Sequence, residues 1–376
     1  MSVTGTLLRP VTTGDGPGLW ALLEPSQAEV IGMSSLPGNL DAARLLCEET
    51  SSTIADLATG SFSPVDGRSR RVVFVAVERT VSDDGTERSE EILGITGVTF
   101  KQAVPNLAVT VTTSKDGQGL IMSSSSARWT RTELDSSFIG PSARGKRLGT
   151  LLSRGRFMLL HLVRSQIPQT VASHLRGRFD GDGSAPFWRC FGARFAPQWA
   201  TSTDAELALL EDPTRLDGLA GHRSPVTATV LESLGPVNAA SLPAYHLLSA
   251  EGMAPNGMYD PIDGGPTVVA ELSDTVTGRT RTHGRAVIGA NPSVDALVSV
   301  ATVDNFRVTR TDVGIPNSTE ITLGAGAAAV LGVSTDSLLT AAGLVAPNTA
   351  PDGEVGGEPV TDPDRSRQQK GPDSRP

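Results

Sequence analysis

Aromatic side chains are scarce in this chain of 376 residues: ten Phe, four Trp and two Tyr make up 4% of it. So few rings exclude a base-stacking platform for single-stranded nucleic acid. Cysteine is rarer still. Cys47 and Cys190 match neither a metal knuckle nor a redox pair, which points to a reduced, cytoplasmic setting. The five histidines lack ligand-like partner spacing, so no metal is expected. Long hydrophobic runs are missing too. Nothing approaches the about 18 uninterrupted apolar residues of a membrane span, and no apolar signal-peptide core opens the chain. The nearest run, residues 323–333, is made of small residues closed by Ser334, Thr335 and Asp336, which suits the packed interior of a soluble protein. Positive charge is in deficit as well. A formal net charge of −9 argues against binding a nucleic-acid backbone and suits a cationic small molecule instead.

What is present is an ordinary apolar fraction, 38%, enough for a large buried core, and one stretch with a definite plan. Residues 133–139, with Leu134, Phe138 and Ile139 apolar, read as a strand. Gly140 and Pro141 stop it, since proline has no donor for a ladder. Arg144-Gly145-Lys146-Arg147-Leu148-Gly149 follows. From there Leu148, Leu151, Leu152, Gly155, Leu159, Leu162 and Val163 recur at helical spacing, giving a helix with one apolar face. The order strand, basic glycine-bearing loop, helix gathers unpaired N–H groups, a partial positive charge and three cations at one point. Gly145 and Gly149 let backbone approach a phosphate without a Cβ in the way. A basic turn that merely caps a helix would look similar. However, three cations crowd a helix end that already repels them, so this loop is read as a pyrophosphate cradle.

Around that centre the chain reads as an α/β (or α+β) protein. Residues 7–11 suggest a strand, 17–23 a short helix, and Ala42, Leu45 and Leu46 a second helix capped by Asn39 or Asp41. Residues 72–77 and 92–100 form one expected hairpin; 109–113 and 119–122 form another, turning at Asp116-Gly117. A strand at 171–175 and a loop with a short helix at 184–192 follow the central helix. Further on, a strand is expected at 206–210, a helix over 243–252 and a strand at 267–272. Residues 282–345 alternate as strands do, for example at Val298, Val300, Val308 and Thr309. From residue 347 the composition is that of a disordered tail.

Residues 144–152 resemble the acyl-CoA loop of the N-acetyltransferase superfamily. Arg144 and Gly149 match its ends, while Arg147 stands where a middle glycine is usual. More narrowly, the chain resembles the arginine N-succinyltransferase family. The matching pieces, in family order, include Leu8-Arg9-Pro10-Val11, the SSLPGN run 34–39, Glu133-Leu134 and the SRGRFM run 153–158. Leu175-Arg176-Gly177, Asp180, the APFW run 185–188, Gly192 with Arg194-Phe195, Glu251-Gly252 and the IDGGPT run 262–267 complete them. The resemblance implies tandem N-acetyltransferase-like mixed sheets flanked by helices, with a small C-terminal β-rich domain. On this chain it implies an acyl-CoA-binding domain over 1–200, a reduced second unit over 201–275, a β-rich domain over 276–346 and a disordered tail over 347–376.

It also implies an acyltransferase of arginine catabolism. Succinyl-CoA, a co-substrate rather than a prosthetic group, would give its succinyl group to the α-amino group of L-arginine or ornithine. The expected partners are thus an acyl-CoA and a basic amino acid, with no nucleic acid and no membrane; a homo- or hetero-oligomer is left open. Arg144, Gly145, Lys146, Arg147 and Gly149 would hold the pyrophosphate. Backbone groups of Ser137, Phe138 and Ile139 would pair with the pantetheine arm, and one N–H there would donate to the oxyanion. Glu133 matches an acidic family residue and is the expected base, its pKa raised by burial; a salt-bridged structural glutamate is the competing reading. The family's assigned histidine falls on Asn238, counting back from Glu251-Gly252, and an amide cannot shuttle a proton near neutral pH. His161, His174, His222, His246 and His283 do not obviously replace it. Asp260 and Asp263 could meet a substrate guanidinium or simply make a tight turn, and Arg9, Arg128 and Arg131 are cations available for a succinyl carboxylate. Two alternatives remain: a non-catalytic acyl-CoA-binding subunit or sensor, which Asn238 and Arg147 favour, and an acetyl-CoA-dependent amine acetyltransferase.

Overall fold

The computed structural model describes residues 2–26, 35–65, 67–82, 86–113, 120–180, 184–192, 201–216, 224–225, 228–289 and 292–344. The tail from 347, the Asp116-Gly117 turn, Ser34, Arg194-Phe195 and His222 lie outside the described residues.

Period-two alternation builds the centre. Strands β1 (Ser2–Pro10), β2 (Arg68–Ser82) and β3 (Glu87–Pro105) are antiparallel neighbours. Leu7, Val73, Val75, Val77 and Ile95 point to one face, while Leu8, Val72, Phe74, Ala76 and Val98 point to the other. Helices α1 (Gly16–Leu23) and α2 (Leu40–Thr59) cover the first face through Leu19, Leu23, Ala43 and Leu46. Of the two candidate caps, Asn39 is the one used: its Oδ1 accepts the Ala42 N–H at 2.8 Å.

Next come the hairpin β4 (Ala108–Thr113) and β5 (Leu120–Ser125), and then β6 (Arg128–Ile139), which lies against β3. Helix α3 (Leu148–Leu162) packs on the second face of the sheet. Strand β7 (Thr170–His174) runs parallel to β6. Residues 206–210, expected as a strand, belong instead to helix α4 (Ser202–Glu211). Thr201 and Asp204 form a reciprocal capping box there, and Ala205, Ala208 and Leu209 are buried at helical spacing. The period is 3.6 rather than 2. The short β8 (Ser224–Pro225), helices α5 (Ala228–Ser233) and α6 (Leu242–Ala250), and strands β9 (Ala254–Tyr259) and β10 (Pro266–Glu271) follow. They extend the existing sheet, which runs β1-β2-β3-β6-β7-β10-β9-β4-β5-β8.

After helix α7 (Val276–Thr280), strands β11 (Arg281–Ile288), β12 (Val294–Val300), β13 (Val308–Asn317), β14 (Glu320–Leu323) and β15 (Leu338–Gly343) close on themselves. The cycle is β13-β12-β15-β11-β14 and back to β13, with β11 and β14 parallel. Ala286, Val298, Val313, Ile321 and Leu339 fill this small barrel, and Leu331 of helix α8 (Ala325–Leu331) joins them. Leu8 of β1 pairs with Val308 of β13, so barrel and main sheet share an edge.

Helix α3 therefore lies between the sheet and a second layer containing α6 and α7, and it is buried all round rather than on one face. Part of its polar side is paired inside the protein. Arg154 Nε donates to Glu251 at 2.7 Å, and Glu251, at 0% exposure, also accepts the Thr277 N–H at 2.5 Å. The SRGRFM and Glu251-Gly252 motifs thus meet at one buried ion pair that holds α3 to the segments following α6. Gly155 lets α3 sit close to the sheet, since a Cβ there would stand 2.5 Å from Leu8 Cδ2. Among the described residues no helix is long and apolar enough to cross a membrane.

Candidate active site

The site begins where two strands part. β6 pairs with β7 at Thr132↔Val171 and Glu133↔Ala172 and no further. The Ser173 hydroxyl still reaches the Leu134 carbonyl at 3.1 Å, but residues 135–139 of β6 keep a strand partner only on the β3 side. A bulge accompanies the parting. Register shifts between Ile95↔Phe138 and Gly97↔Asp135, so Ser136 and Ser137 together face Thr96. Ser136 is held at φ +59°, with its hydroxyl bonded to Arg71 and donating to the Ser35 carbonyl at 3.2 Å. The result is an open strand edge along Ser137, Phe138 and Ile139, the geometry to which an extended chain adds as a further strand.

At the end of that edge Gly140 donates to Leu93, a short 3-10 turn spans Pro141–Ala143, and the basic loop leads into α3. Arg144, Gly145, Lys146 and Arg147 are all exposed. Gly145 sits at φ +81° and Arg147 at φ +60°, so the usual middle glycine of such loops has a conformational reason that arginine satisfies only under strain. No side chain caps the start of α3. The first-turn N–H groups and the cations therefore face the same space. At Gly149 a Cβ would meet only Leu247 Cδ1, at 3.3 Å.

Glu133 lies at the last rung of the β6–β7 ladder, in a cluster of basic side chains. Lys101 Nζ stands 2.8 Å from both carboxylate oxygens, Arg131 Nε 2.9 Å from Oε2, and His174 Nε2 3.4 Å from Oε2. Burial alone would push this carboxyl up, but His174, Lys101 and Arg131 outweigh it and hold the pKa well below the usual carboxylate range. The expectation of a raised pKa is thus corrected. An ion-paired carboxylate is a poor proton acceptor, because protonation would leave its cations without a counter-charge.

One row further on, Asp135 bonds Arg71 at 3.0 Å and the Thr99 hydroxyl at 2.6 Å. Arg156, buried on α3, donates to the Gly97 carbonyl at 3.2 Å, and desolvation pushes its pKa down to about 10, with Asp135 acting the other way. Lys101, Arg71 and Asp135 were not among the sequence candidates, and His174 was weighed only as a replacement for the family's histidine and set aside. The signal was available: Arg131, Glu133 and Asp135 alternate along β6 with Thr132 and Leu134 between them, which puts charge on one face of the strand.

Asn238 sits in a turn leading to α6. Its N–H donates to Arg176 at 2.8 Å, and its Oδ1 accepts the Ala240 N–H at 2.9 Å. Among the described residues no hydrogen bond joins it to Glu133. Asp260 and Asp263 close a loop on itself. Asp260 Oδ1 accepts from Ile262 at 2.7 Å and Asp263 at 3.0 Å, and Asp263 Oδ1 accepts from Gly265 at 2.8 Å. Gly177 and Gly265 touch backbone to backbone, since a Cβ on Gly177 would lie 2.1 Å from the Asp263 carbonyl. Burial and the neighbouring Asp260 push the Asp263 carboxyl up to about 7.

The three cations considered for a succinyl carboxylate are all engaged. Arg9 is held by Asp15 at 2.7 Å and Glu90 at 2.7 Å, Arg131 by Glu133, and Arg128 by the Ala103 carbonyl at 2.8 Å. Arg9, Asp15, Leu22, Glu90 and Gly140 border a cavity of about 610 Å³ on the α1 side of the loop. Among the described residues no cluster of His, Cys, Asp and Glu could hold a metal.

The structure thus presents a mixed sheet parted beside a bulged strand, with an exposed basic loop opening the next helix. The chain belongs to the arginine N-succinyltransferase family: the model described as "Arginine N-succinyltransferase beta subunit" matches residues 6–277. It is an acyltransferase by that membership, and an acyl-CoA is its class of co-substrate. An arginine N-succinyltransferase of Photorhabdus laumondii is 27% identical over 284 residues, covering 71% of this chain and 76% of the relative. One from Enterobacter is 28% identical over 334 residues, 80% of this chain and 87% of the relative. Subunit AI of the arginine/ornithine succinyltransferase of Pseudomonas aeruginosa superposes with a TM-score of 0.70 at 21% identity, covering 90% of this chain and 98% of that one, which shows the shared fold.

Proposed function

We propose that this chain transfers the succinyl group of succinyl-CoA to the α-amino group of L-arginine, or of ornithine, as a cytoplasmic step of arginine catabolism. The observation that carries the reading is the open β6 edge at Ser137, Phe138 and Ile139, followed after a short 3-10 turn by the exposed loop residues 144–147 and the start of α3. In this reading the edge receives the pantetheine arm and the loop its pyrophosphate, through Arg144, Gly145, Lys146, Arg147 and Gly149. The amine nitrogen attacks the thioester carbonyl carbon and the C–S bond breaks. The sulfur leaves with its electron pair and takes up a proton, and the nitrogen sheds one as the amide forms. A backbone N–H on the open edge donates to the oxyanion of the intermediate.

Proton removal is where this chain differs from its family pattern. Asn238 orients the segment at the end of β7, and Glu133, held ionised by its cations, serves the site as a charge partner rather than a base. The amine must then arrive neutral. An amino-acid α-amino group titrates about two pH units above neutral, so about one molecule in a hundred is reactive at pH 7. The test is thiol release from succinyl-CoA and acetyl-CoA with a panel of basic amino acids between pH 6 and 9. The expected rate with succinyl-CoA and arginine or ornithine climbs about tenfold per pH unit from 7 toward 9, and Asn238→His flattens the slope by raising the rate at pH 7. A profile already flat above pH 7 would mean that another residue is the base. No release at any pH, with CoA still bound, would replace the enzyme by a non-catalytic subunit.

A further inference from the structure

We infer that the Lys101–Arg131–His174 cluster around Glu133 recognises a carboxylate of the reacting substrates. This inference rests on the transfer reading above.

The first support is charge. Lys101 and Arg131 are two permanent cations, and among the described residues Glu133 is the one carboxylate bonded to either of them or to His174. Arg131 is fixed, its side chain 3% exposed and its guanidinium 4.8 Å from the Trp129 ring centre. His174 is fixed too, by Nδ1 against Thr267 Oγ1 at 2.9 Å. One positive charge is left over at a place partly withdrawn from water, where an unbalanced charge is costly and an anion is welcome. Lys101 and His174 keep 22% and 29% of their side chains exposed, so the cluster opens through these two.

The second support is position. Glu133 and Ala172 form the last β6–β7 rung, and His174 lies just past it on the diverging strand. Ile139, where β6 ends ahead of the turn into the basic loop, is six residues from Glu133, at most about 20 Å along the bulged strand. That span places the cluster at the acyl end of an extended thioester and far from its phosphates. A third observation lies in the same row of the sheet, where Arg71, Thr99 and Glu133 are successive neighbours. Arg71 Nε is buried there without a hydrogen-bond partner. The surplus of donors suits a succinyl terminal carboxylate or an amino-acid α-carboxylate, the same chemistry from two sources.

The test compares wild type with Lys101→Met, which keeps the aliphatic stem and removes the charge. His174→Gln is the second variant, and melting temperature is the control for folding. Calorimetry measures succinyl-CoA against CoA, and arginine against its decarboxylated analogue agmatine. Kinetics add succinyl-CoA against acetyl-CoA. A succinyl contact predicts at least about a tenfold loss for succinyl-CoA with CoA and acetyl-CoA unchanged. An α-carboxylate contact predicts the same loss for arginine with agmatine unchanged. Equal losses with and without the carboxylate, or no loss at all in two folded variants, overturn the inference. Failure of the transfer reading shows separately, as a wild type that releases no thiol, and the calorimetric contrasts still decide the cluster.

Discussion

Two glycine-bearing loops of this molecule look alike in sequence and differ in what their glycines face. In the loop that opens α3, Gly145 has nothing within 4 Å of where a Cβ would stand, and Gly149 meets only the tip of Leu247. In the loop between β9 and β10, a Cβ on Gly265 would lie 2.0 Å from the Leu175 carbonyl, and one on Gly264 would lie 2.7 Å from the Ser233 carbonyl. In the first loop the Arg144 and Lys146 N–H groups turn back on Pro141 and Ala143, both at 3.4 Å, while the start of α3 has no side-chain cap beside its cations; the second spends its donors on Asp260, Asp263 and its neighbours. Glycine borders open space in one case and admits the protein's own backbone in the other.

The comparison breaks most sharply by adding side chains. Gly265→Val should cost more than about 3 kcal/mol in urea unfolding, because two backbone segments must separate to admit it. Gly149→Val should change stability by no more than about 1 kcal/mol. It should weaken acyl-CoA binding at least about tenfold by calorimetry. Equal stability losses at the two positions would erase the distinction, and unchanged affinity in Gly149→Val would remove the loop from the site.

A smaller effect concerns Asp263, whose carboxyl is pushed up to about 7 by burial and by Asp260, against the pull of the Gly177 and Gly265 N–H groups. A carboxyl that ionises later in the folded chain than in the unfolded one binds more protons when folded. Stability should therefore fall as pH rises between about 4 and 7. Asp263→Asn, which keeps an acceptor for the glycine N–H, should flatten that decline, by on the order of 2 kcal/mol at pH 8. Parallel wild-type and variant curves in denaturant titrations across this range would show that the loop is indifferent to this charge.

The smallest effect is at Arg147, a non-glycine residue at φ +60° in the open loop. Arg147→Gly should relieve about 1 kcal/mol of backbone strain, partly offset by the freer unfolded chain. It should also make CoA binding less sensitive to salt by removing one cation. A variant less stable than wild type would mean that the Arg147 side chain, rather than its backbone, holds the turn.

How far the sequence reached depended on whether a feature is local. Strand, loop and helix order around residues 133–160 follow from periodicity and glycine placement, and both hold in the fold. The strand expected at 206–210 failed because five residues of Ala, Leu and Glu carry too little pattern, while the deciding signal, the Thr201–Asp204 box, stood just upstream. At Glu133 the expectation of a raised pKa failed, for a different reason. Its identity was readable, but its protonation state depends on Lys101 from β3 and His174 from β7, which only strand pairing brings to it.

The sequence by itself determined the family, the class of co-substrate and the place of the basic loop, because these rest on contiguous residues whose conformations are set within a turn or two. Only the tertiary structure decided which glycines border open space and which face backbone, that α3 is buried all round, and that the strand parts from its neighbour after Glu133. Each of those facts turns on which distant segments come within a few ångströms, and that is a property of packing, not of local pattern.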